Sequence, residues 1–421
     1  MTSRPLHAVL LPPEAAAGRL LDALSAALDG SGPAILPLDP SLPPARLAAL
    51  LEAFVPSALE TTEGTKRLSS AAPARSASPG VRPDVAVVIA TSGSTGQPKG
   101  AELTAAALLA SAGASLDRIG AAPGDRWLCC LPAFHVAGLG VLVRSLLAGA
   151  APAVIPGGRL DAGSLAGAGC ALVSLVPTQL RRLLDGGAPL AGFRAILLGG
   201  APAPAGLLAD AQAAGARVIT TYGMSETCGG CVYDGKPLAG VSVDTGSDAR
   251  IRIAGPVLFS GYRLRPDLTA AVLDGGWFVT SDLGTLGDSG TLVVRGRADG
   301  LINTGGEKVV AAEVEAALGS CGAVREAVVV GVPDAEWGER VAAVVVAADP
   351  AAPPGLAQLR AHVRGRLPAH AAPRTLLLVP ELPLLPSGKA DRSALRQLAA
   401  DHDAQARPAG AQHPDGNNRP R

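Results

Sequence analysis

The sequence predicts an α/β protein. A large N-terminal domain of helix-covered, mostly parallel sheets plus a β unit precedes a small α+β C-terminal domain. Three observations carry this. Buried-strand runs at Asp84 to Ala90, Ala171 to Val176, Ala195 to Leu198 and Arg217 to Thr220 alternate with helical stretches such as Gln179 to Leu184, as parallel strands joined by helices do. From about residue 240 to 295 short strands with Gly and Asp turns take over (Ala249 to Ile253, Trp277 to Thr280, Thr291 to Val294), which predicts an antiparallel unit. After Arg297 a fresh series begins: helix Val309 to Leu318, strands Val324 to Val330 and Val341 to Ala347, helix Leu356 to Leu367, strand Arg374 to Val379.

The expected domains are therefore 1–297 and 298–400, with a polar, Gly/Pro/Asn-containing tail over 401–421 expected to be disordered. Residues 1–60 read as helix, short strand and helix; Leu20, Leu21, Leu24 and Leu28 share one helical face. Residues 61–82, rich in Ser, Thr, Ala and Pro, read as a loop or linker.

The 421 residues carry 36 Lys plus Arg and 36 Asp plus Glu. That balance offers no excess charge to attract nucleic acid or an anionic membrane. No apolar stretch escapes interruption by Gly, Pro or Arg, so no membrane span is expected. The N-terminus lacks the order of a signal peptide. A cytoplasmic small-molecule enzyme is the expectation, with a homo-oligomer left open.

Arg has displaced Lys nearly everywhere. Only Lys66, Lys99, Lys236, Lys308 and Lys389 remain, and Asn303 is the only Asn before the tail. A surviving Lys is a candidate for a position where a compact ammonium does what a planar guanidinium cannot, chance survival being the plainer alternative. Of six cysteines, Cys228 and Cys231 have metal or redox spacing. Without a second pair or a neighbouring His they fall short of a zinc ligand set.

The strongest local feature is Thr91-Ser92-Gly93-Ser94-Thr95-Gly96-Gln97-Pro98-Lys99-Gly100, placed directly after a buried strand. Small residues let backbone N–H groups approach phosphate oxygens, while hydroxyls and one Lys add donors and charge. Pro before Lys99 and Gly after it separate this loop from a Walker loop.

Five further segments follow in order: Leu131-Pro-Ala-Phe-His135; Thr221-Tyr-Gly-Met-Ser-Glu-Thr227, preceded by Leu198-Gly-Gly-Ala-Pro202; Thr280-Ser-Asp-Leu-Gly284; Gly296-Arg-Ala-Asp-Gly-Leu-Ile-Asn-Thr-Gly-Gly-Glu307; and Leu385-Pro-Ser-Gly-Lys-Ala-Asp-Arg392. With the loop, they identify the chain as resembling the adenylate-forming superfamily of acyl- and aryl-CoA ligases, luciferases and adenylation domains. The resemblance spans nearly everything past residue 85.

It implies a mobile C-terminal lid, ATP held by the large domain, and the following roles. Thr91, Ser92, Gly93, Ser94, Thr95, Gly96 and Lys99 hold the β- and γ-phosphates. Gly199, Gly200 and Ala201 lie beside the adenine, on which Tyr222, followed by Gly223, stacks. Asp282 accepts from the ribose hydroxyls, and Arg297 reaches ribose or phosphate. Glu226 holds magnesium, a hard cation that prefers oxygen, and Thr227 donates to the α-phosphate. His135 borders the acyl pocket. Lys389 is the catalytic lysine, Asp299 the hinge, and Gly305 and Gly306 line the thiol path. Each has a plainer alternative: a core histidine, a turn aspartate, a solvated lysine.

The implied reaction activates a carboxylate with ATP and passes the acyl group to coenzyme A. Val173 to Leu184 and Tyr222 to Gly235 further resemble the o-succinylbenzoate–CoA ligases of menaquinone synthesis. The second carboxylate of that acid needs an Arg or hydroxyl donors, for which Ser174, Thr178 and Arg194 are candidates. Alternatives are another small aryl- or acyl-CoA ligase, an adenylation enzyme loading a carrier protein, or a degenerate non-catalytic relative. Two departures from the family pattern are a short N-terminal region and Ser387 where many relatives carry Thr.

Overall fold

The computed structural model describes residues 3–12, 15–68, 79–92, 98–155, 160–385 and 388–406, without the side chains of residues 16, 17, 92 and 403–406. Two units result: Met1–Asp299 with Pro386–Lys389, and Gly300–Leu385 with Ala390–Arg421.

The first unit holds two seven-stranded sheets. In one, strands Leu6–Val9, Ala34–Pro37, Ala58–Thr61 and Val85–Ser92 run parallel, while Gly64–Arg67, Pro98–Thr104 and Gly261–Tyr262 add antiparallel. In the other, Ala153–Val154, Trp127–Cys129, Leu172–Leu175, Ala195–Leu198 and Val218–Met224 run parallel, and Gly229–Tyr233 and Lys236–Pro237 turn back. Strands apolar on both faces require cover on both, and the core clusters supply it. Helices Leu21–Asp29, Ala105–Ile119 and Val136–Ala148 pack between the two sheets in one cluster. Helix Pro44–Phe54 covers the outer face of the first sheet, and Ala162–Gly167, Pro177–Asp185 and Ala205–Ala213 that of the second.

The helix ends are written locally. Thr104 caps Ala105–Ile119 by accepting from Ala107 N at 3.1 Å, and Gly120 ends it in the left-handed region. A third, antiparallel sheet comprises Ser242–Thr245, Arg250–Ala254, Leu273–Asp274, Trp277–Leu286 and Leu292–Arg297.

The second unit is a five-stranded sheet. Leu301–Thr304, Glu307–Val310, Val324–Asp334 and Gly338–Ala347 pair antiparallel, and Thr375–Leu378 lies parallel to Gly338–Ala347. Gly305 and Gly306, both with positive φ, form the two-residue hairpin turn that such a conformation requires. Helices Ala311–Gly319 and Leu356–Arg364 share one core cluster of this unit.

Three expectations change. The N-terminal sixty residues open with strand Leu6–Val9 rather than a helix, and Ala58–Thr61 pairs with Gly64–Arg67 inside the stretch read as linker. These strands are only four residues long, too short for periodicity to reveal. The C-terminal helix Arg392–Ala406 runs through Ala406, into the segment expected as a tail. Leu395 and Ala399 are buried against Val328, Val330 and Val344, which anchors it.

Candidate active site

Thr91, Tyr222 and the loop at Gly199 lie at the C-terminal ends of parallel strands, where open α/β sheets bind ligands, while Asp282 and Arg297 come from the antiparallel sheet. The Thr91–Lys99 segment is a hairpin connection: Thr91 pairs with Lys99 across antiparallel strands, and Thr91 Oγ1 donates to Lys99 O at 3.2 Å. Gly93, Ser94, Thr95 and Gly96 lie outside the described residues, as does the Ser92 side chain.

Strand Val218–Met224 delivers Tyr222, then turns at Ser225–Thr227 and returns as Gly229–Tyr233. Glu226 thus sits at a hairpin tip. Its Oε1 accepts from Tyr262 Oη at 2.7 Å, and its backbone O accepts from Phe259 N at 2.8 Å. The Tyr262 ring also lies 5.4 Å from the Lys99 ammonium, within cation–π range. One tyrosine therefore ties the magnesium-ligand candidate to the phosphate-loop lysine. Burial, then the Glu226 carboxylate, push the Tyr262 hydroxyl well above its ordinary range, so it stays a donor.

Thr227 lies within the turn itself. Its hydroxyl is fully buried, accepts from Met224 N at 2.9 Å, and faces Gly229 O at 2.7 Å and Met224 O at 3.1 Å. It builds the turn and has no donor left for a phosphate. Ser225, half-buried on the other side of Glu226, has no side-chain hydrogen bond among the described residues.

Tyr222 Oη donates to Asp282 Oδ2 at 2.8 Å. Asp282 faces Arg297 as a cross-strand pair, and Arg297 Nη1 donates to Oδ1 at 3.2 Å. Arg297 also grips Asp299 with two bonds, 2.8 and 2.6 Å. Burial raises the Asp282 pKa, while Tyr222 and then Arg297 pull it back. Asp299, held by Arg297, lies below the usual carboxylate range and ends the first unit.

Gly200 faces Lys389, whose Cε would lie 3.3 Å from a Cβ built there, and Gly199 N donates to Leu175 O at 3.1 Å. Ala201 is exposed and follows on the same loop. Thr178 Oγ1 donates to Gly388 O at 3.0 Å. Burial and the Arg297 charge lower the Lys389 pKa; Asp282 opposes them. His135 precedes helix Val136–Ala148 beside the Phe134 ring. A side chain at 138 would collide with Pro132 O, so glycine lets the helix begin against that turn. Burial, then Lys389, lower the His135 pKa and keep the imidazole neutral.

Ser174 is buried on strand Leu172–Leu175 and accepts from Arg144 Nη2 at 3.1 Å. Arg194 lies away from the loop at Gly199. It precedes Ala195–Leu198, at the end of that strand opposite Gly199, and pairs with Asp125 at 2.8 Å. Cys228 and Cys231 are buried with their thiols pushed up by desolvation, Cys231 to about 12. Among the described residues no cluster of three metal-ligating side chains occurs, and no helix is long and apolar enough to cross a membrane.

Tyr262 escaped the sequence reading. The rarity argument used for lysine would have found it, since the chain has only three tyrosines. A single Glu carboxylate with its second oxygen free of protein partners among the described residues suits a hard cation whose other ligands are phosphate and water oxygens.

The chain is similar to known proteins over most of its length. Residues 24–298 match the AMP-binding enzyme family and 313–389 the AMP-binding enzyme C-terminal domain. A probable 2-succinylbenzoate–CoA ligase of Mycobacterium tuberculosis is 44% identical over 416 residues, covering 94% of this chain and 100% of the relative. The 2-succinylbenzoate–CoA ligase of Bacillus pumilus is 35% identical over 335 residues, 74% of this chain and 68% of the relative. Among solved structures, o-succinylbenzoate CoA synthetase from Bacillus subtilis with its acyl-adenylate intermediate superposes with a TM-score of 0.77 at 29% identity, covering 93% and 88% of the two chains. The same synthetase with ATP and magnesium gives 0.76 at 28%, covering 94% and 90%. This chain belongs to the AMP-binding enzyme family.

Proposed function

We propose that this chain is an AMP-forming acid–thiol ligase that joins o-succinylbenzoate to coenzyme A through an acyl-adenylate, in menaquinone biosynthesis. The observation that carries the reading is the 44% identity running across the whole of a relative named for this acid. The site supplies the chemistry such a reaction needs.

A carboxylate is a poor nucleophile toward a polyanionic triphosphate, so charge neutralisation and alignment must supply most of the catalysis. Tyr222 offers the flat face for adenine, fixed by its bond to Asp282. Asp282 and Arg297 address the ribose. Lys99 and the Thr91–Gly96 loop take the β- and γ-phosphates. Glu226, steadied by Tyr262, is the residue to hold magnesium, which neutralises phosphate charge when bound. Ser225 replaces Thr227 as the hydroxyl donor beside the α-phosphate. Lys389 aligns the acid's carboxylate oxygen with the α-phosphorus. That oxygen displaces pyrophosphate and leaves a mixed anhydride. In the second step the thiol sulfur of coenzyme A attacks the acyl carbon and AMP leaves. We assign the thiol path to Gly305 and Gly306 and the swivel to Asp299.

The test is thioester formation by the purified chain with ATP, magnesium and coenzyme A, offered o-succinylbenzoate, benzoate, a fatty acid and acetate. Strong preference for o-succinylbenzoate is expected. Preference for another acid would overturn the substrate, and turnover of none would overturn the activity.

A further inference from the structure

Lys389 stands on a segment that one side chain of the first unit holds. Gly388 and Lys389 group with that unit, while Leu385 and Ala390 on either side belong to the second. Thr178 Oγ1 donates to Gly388 O at 3.0 Å, across 210 residues of sequence. Among the described residues this is the only hydrogen bond that a side chain makes to either residue. The hydroxyl proton of Thr178 is thus spent on the carbonyl next to the lysine and is not free for an acid.

The seat for this bond is built locally. Val176 is extended, and Pro177 opens helix Pro177–Asp185, which places Thr178 in its first turn. Gln179 Oε1 accepts from Val176 N at 3.1 Å and fixes that turn. Val176 then fits between two glycines. Its Cγ1 would lie 3.4 Å from a Cβ at Gly200, and its Cγ2 2.9 Å from a Cβ at Gly388. The second distance is too short for a side chain, and Gly388 has φ +77°. Glycine therefore lets this backbone settle onto Val176 and Thr178. Lys389 Cε would lie 3.3 Å from a Cβ at Gly200, so the same surface guides the stem of the lysine.

We propose that Thr178 is a positioning residue, which sets Lys389 for adenylate formation and for that step alone. This rests on the functional reading above, in which Lys389 aligns the acid's carboxylate with the α-phosphorus and takes no part in thioester formation. An ammonium on a long flexible stem aims only as well as its backbone is pinned, and small misalignments of a reacting pair are costly. A single neutral hydrogen bond contributes modestly. It biases the segment toward this position without locking it there.

The test measures the half-reactions separately in wild type, Thr178→Val, Thr178→Ser, Gly388→Ala and Lys389→Ala. The first is pyrophosphate release in a single turnover with ATP, magnesium and o-succinylbenzoate. The second is conversion of chemically prepared o-succinylbenzoyl-adenylate to thioester by coenzyme A. Thr178→Val should slow the first by about threefold to tenfold. Its half-saturating concentrations of ATP and acid should be unchanged, and its thioester step no slower than wild type. Thr178→Ser keeps the hydroxyl and should restore adenylation. Gly388→Ala should slow adenylation by about tenfold and also spare the thioester step; it carries the same comparison if Thr178→Val fails to fold. Adenylation at the wild-type rate in Thr178→Val, or a serine variant as slow as the valine one, would overturn the proposal. So would a weakened affinity for the acid, which would make Thr178 a substrate contact, or equal loss in both half-reactions, which would make it a packing residue. A wild type that forms no adenylate, or Lys389→Ala as fast as wild type, would instead overturn the functional reading.

Discussion

Tyr222 Oη donates to Asp282 Oδ2 at 2.8 Å, and Arg297 Nη1 holds the other oxygen of the same carboxylate at 3.2 Å. The proposed adenine platform and the proposed ribose acceptor are thus hydrogen-bonded to each other. Tyr222→Phe keeps the ring and removes only the tether. A lost hydrogen bond to a charged group costs about 1.5–3 kcal/mol, so KM for ATP should rise at least about tenfold. The pH dependence has a definite sign. Burial raises the Asp282 pKa, and the Tyr222 hydroxyl is the first influence lowering it again. Without that hydroxyl the carboxylate takes its proton at higher pH, and ATP binding is lost earlier as pH falls. Measuring KM for ATP against pH in both proteins checks this; an unmoved acid limb would argue against it.

Tyr262→Phe addresses the opposite flank. It frees Glu226 Oε1 while leaving an aromatic face near Lys99. The magnesium concentration for half-maximal adenylation should rise about tenfold or more, with little change in KM for coenzyme A. A magnesium titration decides it.

Thr227 and Ser225 should separate stability from rate. Thr227→Ala strips a buried hydroxyl from Met224 N and should cost about 1–3 kcal/mol in denaturant unfolding. Ser225→Ala should leave unfolding nearly unchanged and slow pyrophosphate release. The reverse pattern would return the donor role to Thr227.

Lys389→Ala should slow adenylate formation by at least about a hundredfold, yet still convert chemically prepared acyl-adenylate to thioester. Burial and Arg297 lower the Lys389 pKa. The charged form therefore fades at a lower pH than for an ordinary lysine as pH rises, and adenylation should fail on that alkaline limb. Full adenylation by the alanine variant would remove Lys389 from the mechanism.

Much of this was legible in the sequence because apolar strands between helices leave period and punctuation. The strands around Val87, Val173 and Ile196 lie where their apolar runs place them. Four-residue strands such as Leu6–Val9 carry too few residues to show alternation. Motif residues were legible one by one, but their partners were not. Nothing local says that Tyr262 reaches Glu226, 36 residues back. Thr227 shows why: a hydroxyl in a motif reads as a free donor, and only the fold reveals that it is buried and bonded within its own turn.

The central claim is a ligase working through an acyl-adenylate of o-succinylbenzoate. A single-turnover experiment with enzyme in excess, ATP and magnesium, but no coenzyme A, tests it most directly. One equivalent each of pyrophosphate and o-succinylbenzoyl-adenylate is expected, chased to thioester and AMP when coenzyme A is added. Thioester formed with no adenylate, or adenylate accumulating only with a different acid, would contradict it.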